Sequence, residues 1–193
     1  MHSIAPLAAE LGPFPVPDAG PLFFVALALH VIAGLSAVIA GIVATTARKG
    51  PGRHPSAGIV YFYAIAAVFV TATVMAALRW HHDRYLFFIA TAAFGLAVLG
   101  RWARRRLSRR SSRWMLWHGG AMSGSYVSLF VGFYVDNGPQ LPVVNRLPHP
   151  AYWIIPVVVG GLLTWRAFQH NNLLSAPRPG SPLRREHPTP PPR

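Results

Sequence analysis

Five long apolar runs divide this chain, and they constrain its fold more than any other feature. They cover residues 22–47, 57–78, 85–103, 114–135 and 151–169. A helix rises about 1.5 Å per residue and satisfies its own backbone hydrogen bonds, so roughly twenty apolar residues cross a hydrocarbon core of ~30 Å. The sequence therefore predicts an all-α integral membrane fold, a bundle of about five transmembrane helices within residues 22–172.

The two flanking segments differ from this apolar region. Residues 1–21 contain no Lys or Arg, so they lack the positive segment that begins a cleavable signal peptide. We expect them to form an external N-terminal segment. Residues 173–193 are rich in Pro and Arg and show no apolar periodicity, which predicts a disordered, basic cytoplasmic tail.

The charge of the chain is strongly positive, with 18 Lys and Arg against 5 Asp and Glu. A balance of this kind suggests nucleic acid, but here the basic residues lie in short loops between apolar runs, so no nucleic-acid partner is expected. If the N-terminus is outside, fifteen of the 18 basic residues are cytoplasmic and only Arg79, Arg84 and Arg146 are external. The positive-inside rule then predicts an external N-terminus and a cytoplasmic C-terminus.

The chain offers few groups for chemistry. It has no cysteine, which excludes thiolate metal sites, iron–sulfur clusters and covalently attached haem. No Asp, Glu, Lys or Arg lies in the central part of a predicted span, whereas His30 and His118 do. Ionisable residues at membrane depth are costly and are functional candidates by default. Neutral imidazole is a common ligand of haem iron and copper.

Three histidines lie on helix faces that carry small or polar residues. The faces are Ala26, His30, Ala37 and Gly41 in the first span, His54, Gly58 and Tyr61 in the second, and His118, Met122 and Ser125 in the fourth. Such faces either pack closely against another helix or leave room for a flat cofactor. His30 and His118 differ in predicted depth by roughly 12 Å. His54 with His118 is therefore the better pair, and His30 would need a partner among His81, His82 and His149.

The leading hypothesis is a protein that binds b-type haem, or another metal such as copper, through His30, His54 and His118. It would act in membrane electron transfer with a membrane redox partner or a quinone. Weaker candidates for the cofactor site are His81, His82, Met122, Tyr61 and Tyr126. Two alternatives stay open: a small-solute transporter or channel, and a non-catalytic membrane assembly protein. No catalytic residues and no oligomeric state are predicted.

Several short motifs carry a family resemblance. They are LHVIAG around His30, RKGPGRHPSAGIVY with His54, WHGGAMSGSY with His118, and then FYVDNGPQLP and AYWIIP. Together, over residues 29–165, they resemble the small bacterial membrane proteins of the domain-of-unknown-function family two-three-zero-six. The resemblance implies a multi-pass protein of the bacterial plasma membrane and marks the same three histidines. It supplies no activity.

Overall fold

The computed structural model describes residues 20–48, 51–107 and 113–170, and this part of the chain is helical without any β-strand. Its elements are α1 (Gly20–Thr46), α2 (Arg53–Leu78), α3 (Trp80–Arg106), α4 (Arg113–Asn137), a short 3₁₀ turn (Gly138–Gln140) and α5 (His149–His170). The all-α prediction is confirmed. The predicted external segment, residues 1–21, lies outside the described residues except for its last two, which begin α1. The predicted cytoplasmic tail, residues 173–193, lies outside them entirely.

Helices α1, α2, α4 and α5 begin and end within a few residues of the predicted spans, but α3 does not. It starts at Trp80, five residues before the predicted position, and a single residue, Arg79, separates it from α2. The early turns contain His81, His82 and Asp83, which hydropathy alone assigns to a loop. A helix can extend beyond its apolar part, and Asp83 in the first turn of α3 is favourable there because a carboxylate complements the positive N-terminal end of the helix dipole.

The helices form an up-and-down meander in which neighbours are antiparallel. In the α1–α2 pair, His30 contacts Thr71 near one end and His54 contacts Ala44 near the other. In each of the other pairs, too, a later residue of one helix contacts an earlier residue of the next. For α2–α3 the contacts are Phe62 with Phe94 and Phe69 with Phe87. For α3–α4 they are Leu96 with Gly124 and Ile89 with Gly132, and for α4–α5 they are Val127 with Gly160 and Phe168 with Gly119. Consequently α2 and α4 run in the same direction.

Small residues form the centre of the bundle, and large aliphatic residues cover its outside. The main core cluster contains five alanines, Ala37, Ala40, Ala64, Ala93 and Ala97, together with Tyr61, Ile65 and Val68. By contrast, Ile32 and Leu163 are each 63% exposed. Four helices, α1, α2, α3 and α5, are long and apolar enough to cross a membrane. An apolar exterior of this extent needs lipid around it, so the chain is a multi-pass membrane protein.

Helix α4 is less apolar than the other four, and length and composition alone do not mark it as a span. It is also the most enclosed of the helices, since from residue 114 onward only Trp117, Phe133 and Asp136 are exposed. It packs against α3 and α5 along its length and also touches α1 and α2. A helix that faces protein rather than lipid can contain Gly, Ser and His without exposing them to hydrocarbon.

The two ends of the bundle differ in charge. At the basic end, α1, α3 and α5 finish and α2 and α4 begin. The described residues there include Arg48, Arg53, Arg101, Arg104, Arg105, Arg106 and Arg166. The opposite, acidic end holds both described carboxylates, Asp83 and Asp136, which interact with each other and with Arg79. The described arginines that the sequence predicts to be cytoplasmic therefore lie at one end of the bundle.

A row of aromatic rings runs between α2 and α3 from the acidic end to the basic end. We call it the aromatic ladder; its members are Trp80, Phe87, Phe69, Phe94 and Phe62. Successive ring centroids lie between 5.2 and 6.3 Å apart, and the central Phe69–Phe94 pair is stacked. The Arg101 guanidinium lies over the Phe62 ring at 4.7 Å and closes the ladder at the basic end.

Candidate functional site

His30 links α1 to α2 in the half of the bundle nearer the acidic end. Its Nδ1 lies 2.9 Å from the Thr71 Oγ1. A hydroxyl has one proton, and that of Thr71 is directed to the Ala67 carbonyl at 2.8 Å. With the Thr71 proton used in this way, His30 donates from Nδ1 and, in a neutral ring, Nε2 carries the lone pair. The pairing of His30 with His81, His82 or His149 through a cofactor stays a prediction.

His54 lies in the first turn of α2, where its Nδ1 is 2.8 Å from the carbonyl oxygen of Ala44. The last four carbonyls of a helix have no partner within that helix, and α1 ends at Thr46. The imidazole therefore satisfies a carbonyl that would otherwise lack a bond. Since a carbonyl can only accept, the proton is on Nδ1 and, in a neutral ring, the lone pair is on Nε2.

His118 has the same arrangement near the start of α4. Its Nδ1 lies 2.8 Å from the carbonyl oxygen of Gly100 in α3. The two helices approach closely here because Gly100 has no side chain: a Cβ at that position would lie 2.9 Å from the Met122 side chain. Met122 fills the space beside Gly100 and packs against the main core cluster.

Tyr61 and Ser125 join α2 to α4 in the middle of the bundle. Their hydroxyl oxygens are 2.7 Å apart, and both side chains are almost fully buried. Tyr126 lies beside them, with its ring centroid 6.0 Å from that of Tyr61, and it donates to the Val38 carbonyl at 3.0 Å. The two tyrosines named as weaker cofactor candidates thus make interhelical hydrogen bonds. Sequence reasoning did not select Ser125, the partner of Tyr61.

The Tyr61–Ser125 contact fixes how His54 and His118 are placed. Each histidine precedes one member of that contact by seven residues. Seven residues are two helical turns, about 10 Å, and return to the same helix face. Because α2 and α4 run in the same direction, the helical rise places the two histidines at a similar depth near the basic end. Their Nδ1 atoms contact different neighbours, α1 for His54 and α3 for His118. The spacing was visible in the sequence, but its meaning depends on which helices are neighbours.

His81, His82 and His149 lie apart from this pair, at the acidic end. His81 and His82 are exposed in the first turn of α3 at the acidic end, and His149 begins α5, with its ring 6.0 Å from that of Tyr152. Within residues 20–48, 51–107 and 113–170, no three His, Asp or Glu side chains are grouped so that they could hold one metal ion. The described histidines thus suit a group that takes one or two imidazoles. They do not form a zinc-type site of three or four ligands.

Comparison with protein-family models, curated proteins and solved structures finds no significant match to the chain. The family resemblance described from the sequence motifs therefore stays a prediction.

Proposed function

We propose that this multi-pass membrane protein binds b-type haem through His54 and His118 and takes part in membrane electron transfer. The observation that supports the proposal is that His54 and His118 each lie two helical turns before one member of the Tyr61–Ser125 contact, on two helices that run in the same direction. Both rings are held by an Nδ1–H bond to a backbone carbonyl. Metal-bound histidines are usually oriented in this way, with Nε2 as the ligand.

The surroundings of the pair are compatible with a flat apolar group. Helices α2 and α4 share few close backbone contacts, and the long Tyr61 side chain bridges them in the middle of the bundle. Gly58 lies one turn from His54, and a Cβ there would meet no atom within 4 Å. The open space at Gly120 belongs to a groove between α3 and α4. Bound at His54 and His118, haem would supply one-electron chemistry. The residues of the chain would position it, and a quinone or a membrane redox protein would exchange electrons with it.

We also propose five membrane spans with the N-terminus outside. The support for α4 as a span is its close packing along α3, from His118 and Gly100 at one end to Gly132 and Ile89 near the other. The fourteen residues between His118 and Gly132 rise about 21 Å, most of the hydrocarbon thickness. The basic end of the bundle would face the cytoplasm of a bacterium, because seven of the described arginines lie there and cytoplasmic loops are enriched in Lys and Arg.

A reduced-minus-oxidised absorbance spectrum of the purified protein, expressed with added haem precursor, tests the proposed cofactor. We expect a Soret band and sharp reduced bands in the wild type, and their loss in His54→Ala and in His118→Ala. His149→Ala is the matched control, since it removes an imidazole at the acidic end. A wild-type protein without a Soret band, or bands that survive the His54→Ala, His118→Ala double variant, would refute the proposal.

A non-catalytic assembly role is the second candidate. It is supported by one observation: among the described residues, every buried side-chain nitrogen and oxygen already has a hydrogen-bond partner. His30, His54 and His118 would then serve only to join helices. In that case each histidine-to-alanine variant would lower stability, and no cofactor spectrum would be found in any of them. The transporter hypothesis gains no comparable observation.

A further inference from the structure

A groove between α1 and α2 opens on the lipid-facing side near the basic end. Its volume is about 640 Å³, and its lining includes Ser36, Ile39 and Val43 on α1 and Arg53, Ser56 and Val60 on α2. We propose that this α1–α2 groove is a binding site for one anionic phospholipid, with an acyl chain in the groove and the phosphate at Arg53. The site is independent of the proposed haem.

The walls of the groove match the hydrocarbon part of one leaflet. Arg53 and Val60 are separated by seven residues on α2, and Val43 and Ser36 by seven residues on α1, so each wall is about 10 Å long. Half of a hydrocarbon core of about 30 Å is about 15 Å. A lipid acyl chain that enters at Arg53 would therefore lie beside Ile39, Val43 and Val60 for most of the depth of its leaflet.

The two hydroxyl groups in the groove do not call for a polar ligand. The Ser36 hydroxyl donates to the carbonyl of Ile32 at 2.8 Å, and the Ser56 hydroxyl donates to that of Gly52 at 3.1 Å. Both protons are thus used inside the protein, and the rest of the lining is aliphatic apart from Arg53. An acyl chain suits this surface better than a sugar or a soluble metabolite does.

The charge at the mouth of the groove selects an anionic head group. Arg53 is exposed where α2 begins, and Arg48 is exposed just after the end of α1. The two carboxylates of the described residues, Asp83 and Asp136, are at the other end of the bundle, so neither can neutralise these arginines. A phosphodiester with net negative charge, at the level of the lipid head groups, would do so.

Native mass spectrometry of the full chain in a neutral detergent tests the site, with phosphatidylglycerol and phosphatidylcholine of identical acyl chains as probes. We expect tighter binding of phosphatidylglycerol, and Arg53→Gln should weaken it about fivefold, the factor for one basic side chain at a membrane surface. Arg84→Gln, an exposed arginine at the acidic end, should leave the affinity unchanged. Equal affinity of the two lipids for the wild type would overturn the proposal.

Whether the acyl chain lies in the groove is tested by substitutions that fill the groove with a larger side chain. Val60→Trp should weaken binding of both lipids, whereas Ile59→Trp, at the adjacent exposed position outside the lining, should not. If both variants bind the lipids as the wild type does, the acyl chain does not lie in the groove. Displacement of the lipid by inorganic phosphate would assign the site to a free anion. A dimer that disappears in Val60→Trp would assign the groove to a second copy of the chain.

Discussion

Replacing Gly41 by alanine should disturb the contact between α1 and α4. Gly41 is buried, and a Cβ at this position would overlap the ring of Tyr126, whose hydroxyl donates to the Val38 carbonyl at 3.0 Å. Gly34, two turns earlier on the same helix, would place a Cβ where no atom lies within 4 Å. The pair of variants, Gly41→Ala and Gly34→Ala, therefore makes the same chemical change with and without a clash.

The expected changes in the free energy of unfolding follow from three effects. Overpacking costs about 1–3 kcal/mol, and loss of the Tyr126 hydrogen bond costs about 0.6 kcal/mol, the average for such bonds in a membrane. Alanine gains up to about 1 kcal/mol over glycine in a helix at both positions. Gly41→Ala should therefore lower the free energy of unfolding by about 0.6–3.6 kcal/mol. Gly34→Ala should leave it unchanged or raise it by up to about 1 kcal/mol.

Unfolding by sodium dodecyl sulfate in mixed micelles, followed by far-ultraviolet circular dichroism, measures these free energies. Tyr126→Ala removes the ring, so adding Gly41→Ala to that variant should cost little or nothing. The two single variants and the double variant form a cycle whose coupling energy reports the clash directly. Equal unfolding free energies for Gly41→Ala and Gly34→Ala, or an undiminished penalty in the Tyr126→Ala background, would refute the reasoning.

Three further changes test other contacts by the same measurement. Ser125→Ala leaves the buried Tyr61 hydroxyl without its partner and should cost about 1–3 kcal/mol; combined with Tyr61→Phe the loss should shrink, and an unchanged loss would contradict the role of the pair. Gly52→Ala forces a side chain into a backbone with φ of +111° and should cost about 1–2 kcal/mol, whereas Gly58→Ala, with open space at its Cβ, should not. Phe69→Leu interrupts the aromatic ladder at its stacked ring and should cost more than about 0.5 kcal/mol; no measurable loss would show that the rings pack without mutual stabilisation.

Hydropathy predicts most of this fold because the apolar runs are long and their loops are short. It fails at the start of α3, where His81 to Arg84 are polar but still helical, since a helix can extend beyond the hydrocarbon. The predicted set of five spans also includes α4, although this helix is less apolar than the other four. That helix faces protein on most sides, and its lower hydropathy records enclosure, which depends on the packing of the other four helices.

The candidate site was only partly predictable. The residue types and the choice of His54 with His118 follow from the sequence, since depth can be counted along a helix. The partners of the imidazoles do not, because Ala44 and Gly100 act through backbone carbonyls, which every residue has. Ser125 stood on the same face as His118 and two turns away from it, but only the contact with Tyr61 shows that this face meets α2.

The aromatic ladder has a consequence for any pathway through the protein. Five rings in successive contact fill the α2–α3 seam with apolar side chains from Trp80 to Phe62. A polar path along this seam would have to separate these rings, and each aromatic pair adds about 0.5–1.5 kcal/mol beyond its buried area. Helix α5 packs mainly on α4 and shares none of these contacts.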